Sequence, residues 1–190
     1  MQTRLIITVL AVLLQSLTAQ GEPPLRQQTS YYYIDGNSAV VLSEQINQKG
    51  PLGEDGKRHP SRTRWEVQWK FRHNLHDGVC KMEEVAVAVG VSTVRPRWRG
   101  EIRAARQLRE RWRRFVDAVE RYHDLHKEQA LRAGREIEAA LLGVAPAKTC
   151  EALAEQANRV AKALLDKHLK ITEAYDRKTG YGRKKGATLI

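Results

Sequence analysis

Cysteine is scarce in this 190-residue chain, acidic residues are outnumbered, and long apolar runs are almost absent. The one apolar run, residues 5–17, follows Arg4 and stops before Ala19-Gln20-Gly21. A positive start, a short apolar stretch and small residues at its end are the marks of a secretory signal, here residues 1–21. The run holds about 13 residues, short of the roughly 20 that a spanning helix needs; an uncleaved anchor is the alternative. No second stretch approaches that length, so no transmembrane span is expected in the mature chain. It reads as exported, either secreted or periplasmic. No internal repeat or low-complexity segment is present, which argues against a solenoid or an unfolded tract. The glycine-rich stretch 50–56 lacks the spacing of a phosphate loop, and no Ser or Cys sits in a nucleophile motif.

The two cysteines, Cys80 and Cys150, allow one intramolecular pairing. Export places them in an oxidising compartment, where an even count favours a bridge; two buried thiols are the alternative. Acidic residues number 22 against 33 lysines and arginines, for a formal charge of +11. Such a balance favours anionic partners, such as an anionic envelope component, and export argues against intracellular nucleic acid. The charges also alternate, as in Arg109-Glu110-Arg111, a spacing that fits solvated helix faces.

Along the chain, residues 22–29 are polar with Pro23-Pro24 and read as a linker before a single domain over 30–190. Residues 29–34 read as a strand, Asp35-Gly36-Asn37 as a turn, and 39–46 as a short helix capped by Ser38 or as extended chain. A loop over 50–60 follows. Trp65, Val67, Trp69 and Phe71 alternate with polar residues, as do Val85, Val87, Val89 and Val91, so two half-buried strands form an antiparallel pair around a turn at 73–78. From residue 101 to 142 the period becomes helical, with Trp112, Phe115, Val119, Tyr122, His126 and Ala130 on one stripe. About 40 residues would span about 60 Å, so a break is expected near Gly134 or before Leu108. A last helix runs from Thr149 to about Tyr175, and a basic tail closes the chain. The fold class is α+β, with a small antiparallel sheet from the N-terminal half packed on two long C-terminal helices.

The chemistry-bearing residues cluster on the long helix. His123 and His126 are three apart and share a face, so they can share a metal or be satisfied histidines at the core edge. A zinc-peptidase helix needs histidines four apart, with a Glu after the first to activate water. Here the corresponding stretch reads Tyr122-His123-Asp124-Leu125-His126, without that signature. His168 sits on the last helix's stripe as a core residue, or less readily as a third ligand. His59, His73 and His76 read as surface residues, and Trp65, Trp69, Trp98 and Trp112 as core.

Several segments occur in a specific order: Tyr31-Tyr32-Tyr33-Ile34-Asp35-Gly36, Trp65-Glu66-Val67-Gln68-Trp69, Pro96-Arg97-Trp98, Trp112 with Phe115, His126 with Ala130-Leu131 and Arg135-Glu136-Ile137, Cys150, Tyr175-Asp176, and Thr179-Gly180-Tyr181-Gly182 with Gly186-Ala187. In that order the chain resembles a bacterial family of uncharacterised secreted proteins predicted to be zinc-dependent proteases of the HExxH type. The resemblance implies that His126 is the second histidine of that motif. The first histidine falls on Tyr122, the catalytic Glu on His123, and a C-terminal histidine ligand on Tyr181. A scaffold of that family without ordinary zinc-protease activity is therefore expected, its site filled by packed aromatic and imidazole groups. Zinc would be absent or weakly held. Three alternatives stand beside it: an atypical metallopeptidase using His126 with other ligands, a Tyr122/His126/Tyr181 set suited to ferric iron, and a basic module. The last would use residues 103–114 to grip an anionic envelope polymer or a protein partner.

Overall fold

The computed structural model describes residues 22–190, so the leader expected over 1–21 lies outside the described residues. Strands β2 (Arg62–His76) and β3 (Val79–Trp98) form a long hairpin. Its turn is only Asp77-Gly78, with φ of 52° and 74°. An Asp-Gly pair takes this left-handed geometry readily, and its twist matches that of the strands it joins. The strands therefore continue through much of the segment expected to be a turn. The alternation works as the sequence suggests: Trp65 lies opposite Val91, Val67 opposite Val89, Trp69 opposite Val87 and Phe71 opposite Val85. These side chains share one face, with Val67, Val87, Val89 and Val91 buried and the aromatic residues half-buried beside them.

Strand β1 (Leu25–Ile34) joins the other edge of β3, giving the order β1-β3-β2. It runs parallel to β3, from Leu25 beside Val89 to Ile34 beside Trp98. The sheet is thus mixed rather than purely antiparallel, and the expected linker 22–29 already contains half a strand. The reason is positional. An outer strand with exposed faces needs no apolar alternation, and residues 26–31 are all exposed.

Helix α1 (Ala39–Lys49) starts at Ser38, whose side chain accepts from the Val41 amide. Helix α2 (Arg106–Leu142) runs for 37 residues, about 55 Å. The expected break before Leu108 is present as a 3-10 turn at Glu101–Arg103. No break occurs at Gly134. A Cβ there would meet the Val89 side chain at 2.8 Å and Pro23 at 3.3 Å, so this glycine serves close packing on the sheet. Helix α3 (Cys150–Thr179) is capped by Thr149 Oγ1, which accepts from the Ala152 amide at 3.2 Å.

Two clusters make the core. One joins the valines of β3 to Ala130, Ala133, Ile137 and Leu141 of α2 and to Leu153, Ala157 and Ala161 of α3. The other gathers Ile34, Leu42, Trp98, Trp112 and Phe115 with Ala187 and Leu189 from the tail. Truncating a fully buried Ile137 or Leu141 to Ala would cost about 2–5 kcal/mol. No described helix is long and apolar enough to cross a membrane.

Cys80 and Cys150 are bonded. Beside the bridge, the Cys80 amide donates to Ala147 O at 2.8 Å and the Ala147 amide donates back to Cys80 O at 3.0 Å. The bridge spans a separation of 70 residues, which corresponds to about 4 kcal/mol through restriction of the unfolded chain. The double variant Cys80→Ser/Cys150→Ser is expected to lose about that much stability. Urea unfolding of wild type and variant, with intact thiol-free mass confirmed for the wild type, measures the loss.

Candidate functional site

The fifth and sixth turns of α2 place Tyr122, His123 and His126 in the interior, all at most 3% exposed. The apolar stripe accounts for this: Val119 and Ala130 must be buried, and positions three, four and seven residues after Val119 lie on the same side of the helix. What they meet comes from elsewhere in the chain. Helix α3 presents Tyr175 and Asp176 in its last turns, and the chain then reverses through Gly180 in the left-handed region.

Tyr122 donates its hydroxyl to Asp176 Oδ1 at 2.6 Å. His126 Nε2 lies 3.0 Å from the same oxygen. That approach lacks the alignment of a hydrogen bond, and the buried Nε2 has no hydrogen-bonding partner. The Tyr122 and His126 rings meet edge to face, 4.5 Å apart. Burial, and then the adjacent Asp176 carboxylate, push the Tyr122 hydroxyl well above its usual range, so it remains a donor. Gly182, with φ of 83°, lies against the Tyr122 ring, where a Cβ would come within 3.2 Å. Only a glycine combines that φ with so close an approach.

His123 points differently. Its Nδ1 contacts Thr63 Oγ1 of β2, and its Nε2 is buried without a partner. Burial, followed by the charges of Arg95 and His126, lowers its pKa to about 3. A neutral imidazole so reluctant to take a proton is a poor general base at neutral pH.

Tyr181 occupies the left-handed region at φ 55°, a conformation that is strained for a side chain of this size. It is held there by its amide, which donates to Asp176 O at 2.9 Å. It is held also by stacking on His59, with ring centroids 3.6 Å apart. His59 is therefore not a surface residue; it is 6% exposed, with Nε2 at 2.8 Å from Asp55 Oδ1. The loop that carries it folds back on the C-terminal turn, fastened by Tyr32, which donates to Pro60 O at 2.7 Å, and by Arg183, which donates to Arg58 O at 3.1 Å.

These parts line one cleft of about 810 Å³, with Tyr122, Asp176 and Tyr181 at one end and Arg62, Trp65 and Glu66 along β2. Tyr122 and Asp176 thus stand in its wall, with buried His126 against both, and Tyr181 enters the same space. His168 is apart from them. It is held between Glu136 Oε2 at 2.9 Å and the Gln129 side chain at 2.6 Å, as a satisfied core histidine. Trp98 and Trp112 pack edge to face in the core, and Trp69 donates to Asn158. His76 is exposed beside Asp77. His73 lies near Cys80 and Cys150, whose sulfurs are bonded to each other.

Thr63 and His59 carry no distinguishing signal in the sequence, and Asp176 enters it only within the Tyr175-Asp176 segment of the resemblance, without a role. For Asp176 the indirect signal is a tyrosine and a histidine on one buried stripe, which need an acceptor from another element.

The family model described as a bacterial protein of unknown function (DUF922) matches residues 29–182. No curated protein and no solved structure matches the chain.

His123 provides a measurable pH signature. Its folded pKa is depressed, so as pH falls below the ordinary value of 6.5 the unfolded chain takes up a proton that the folded chain refuses. Stability from this group is complete above that pH. It declines as pH drops towards 3, by up to about 1.4 kcal/mol per pH unit. Urea midpoints measured from pH 6.5 to 5.0 are expected to fall in the wild type and to flatten by one proton equivalent in His123→Gln.

Proposed function

The chain belongs to the DUF922 family of bacterial proteins, and from that premise we propose an exported binding protein that keeps a protease-like cleft without ordinary zinc-protease chemistry. One observation carries this reading: Tyr122, standing where a zinc helix needs its first imidazole, is hydrogen-bonded to Asp176. Zinc peptidases bind their ion with two histidines one turn apart and activate its water with an adjacent Glu. Here His126 is the single imidazole on that face of the cluster. His123, at the position of the base, is turned onto Thr63 and resists protonation. The donors therefore fit a catalytic zinc poorly. The cleft of about 810 Å³ remains large enough to receive an extended peptide or polymer. Export is supported by the short apolar leader in the sequence and by the disulfide.

Elemental analysis of the purified mature protein, with a casein-cleavage assay, tests this reading. The expected result is no stoichiometric zinc and no cleavage. One tightly bound zinc per chain together with cleavage, both lost on His126→Ala, would overturn it.

A second reading draws on the N-terminal half of α2. Among the described residues, the ion pairs at this end are Arg95–Glu120, Arg99–Asp35 and Arg106–Glu110. They leave Arg103, Arg109, Arg113, Arg114 and Arg121 exposed without a carboxylate partner. Ile102, 87% exposed, projects beside them. Unpaired guanidinium groups on one flank suit an anionic envelope polymer or an acidic protein surface. Retention on an anionic polymer matrix is expected to weaken steeply with salt, to ignore chelators, and to fall at least tenfold in Arg109→Glu/Arg113→Glu. Retention unchanged by that double variant would remove this reading.

A further inference from the structure

We propose that Tyr122, His126 and Asp176 form a site for a hard trivalent metal ion, for which ferric iron is the probe. The proposal rests on the reading that this is not a zinc-protease centre, and it assigns the cluster a ligand instead. Three side chains from two helices converge on one point. Tyr122 Oη is 2.6 Å from Asp176 Oδ1, and His126 Nε2 is 3.0 Å from the same atom. Neighbouring donors around a six-coordinate ion with bonds of about 2.05 Å stand about 2.9 Å apart. The observed spacings bracket that value, so loading needs only small displacements.

The second observation is the state of His126. Its side chain is 2% exposed, and Nε2 makes no hydrogen bond although it lies 3.0 Å from the carboxylate. Buried imidazole nitrogens are ordinarily satisfied. A metal ion between His126, Asp176 and Tyr122 would occupy the open lone pair.

Donor chemistry selects the ion. A phenol and a carboxylate provide two oxygens that become anionic on binding, and one imidazole nitrogen joins them. Hard, highly charged cations favour such oxygens, whereas zinc in proteins favours thiolate and imidazole. Tyrosinate is an established ligand of ferric iron. On loading, the proton that Tyr122 shares with Asp176 leaves to water as the phenolate oxygen bonds to the metal, and Asp176 remains a carboxylate. Two negative charges then face a charge of three. Asp176 and Tyr122 border the open cleft, so water or a small anion can complete the coordination sphere. Tyr181 lines the same space and is a further phenol within the site's reach.

The experiment uses the mature full-length protein, incubated with ferric nitrilotriacetate and desalted. The expected result is one retained iron per chain and a visible phenolate-to-iron charge-transfer band. Tyr122→Phe, shown by circular dichroism to be folded, is expected to lose the band and to retain at least tenfold less iron. Asp176→Asn provides the same comparison if Tyr122→Phe does not fold. On the wild type alone, gallium(III) should produce the ultraviolet difference spectrum of an ionised tyrosine. A colourless protein that retains no iron overturns the proposal, as does a band that survives in the folded variants. Neither result touches the reading that the cleft binds without cutting, which falls only on stoichiometric zinc with casein cleavage.

Discussion

The contact of α2 with the middle of the sheet, where Gly134 meets Val89, governs the placement of everything else. A side chain at residue 134 would hold the helix off β3. With none there, Ala130 and Ala133 also approach the valines, and the helix lies flat on the sheet over several turns. Because α2 is continuous, that seating fixes the height and rotation of the turns before it. Tyr122, His123 and His126 are oriented from the far end of the same rod. An unbroken helix thus converts backbone packing in one core into side-chain geometry at a site several turns away.

Within the site, one carboxylate oxygen has more than one claimant. Asp176 Oδ1 accepts from Tyr122 and is also the atom closest to His126 Nε2. A carboxylate oxygen has lone pairs for both, yet the geometry satisfies the phenol and leaves the imidazole misaligned. The cluster is therefore tight in packing and incomplete in hydrogen bonding. Incompleteness of this kind is uncommon in a closely packed interior, where buried polar atoms ordinarily find a partner.

How much of this can be read without coordinates depends on where each signal resides. The hairpin was legible because Trp65, Val67, Trp69 and Phe71 each announce one face locally. The α2 stripe was legible for the same reason, and it picked out Tyr122 and His126. The bridge between Cys80 and Cys150 followed from counting. The first half of β1 was not legible, since Arg26, Gln27 and Gln28 lie on an exposed edge where nothing forces alternation. Its parallel direction depends on pairing with residues such as Val89, and no local pattern encodes that. His59 looked like an ordinary loop residue because its burial arises from the ring of Tyr181, far along the chain. Asp176 stood out only as part of the Tyr175-Asp176 segment, and its role was hidden because the tyrosine that explains it lies 54 positions away.

The C-terminal turn carries a consequence for the order in which the molecule is completed. Gly180, Tyr181, Gly182 and Gly186 all lie in left-handed conformations, so the chain doubles back on α2 instead of continuing away from it. Ala187 and Leu189 then enter the same core as Ile34, Trp98 and Trp112. One core is therefore shared by the first strand and residues 187 and 189, and it cannot close until both are available. A polypeptide delivered N-terminus first would hold Tyr122 and Trp112 uncovered until residues 182–189 arrive. Residues 180–189 act as a latch: the sheet and helices can assemble ahead of them, and Tyr181 joins the cleft wall when they dock.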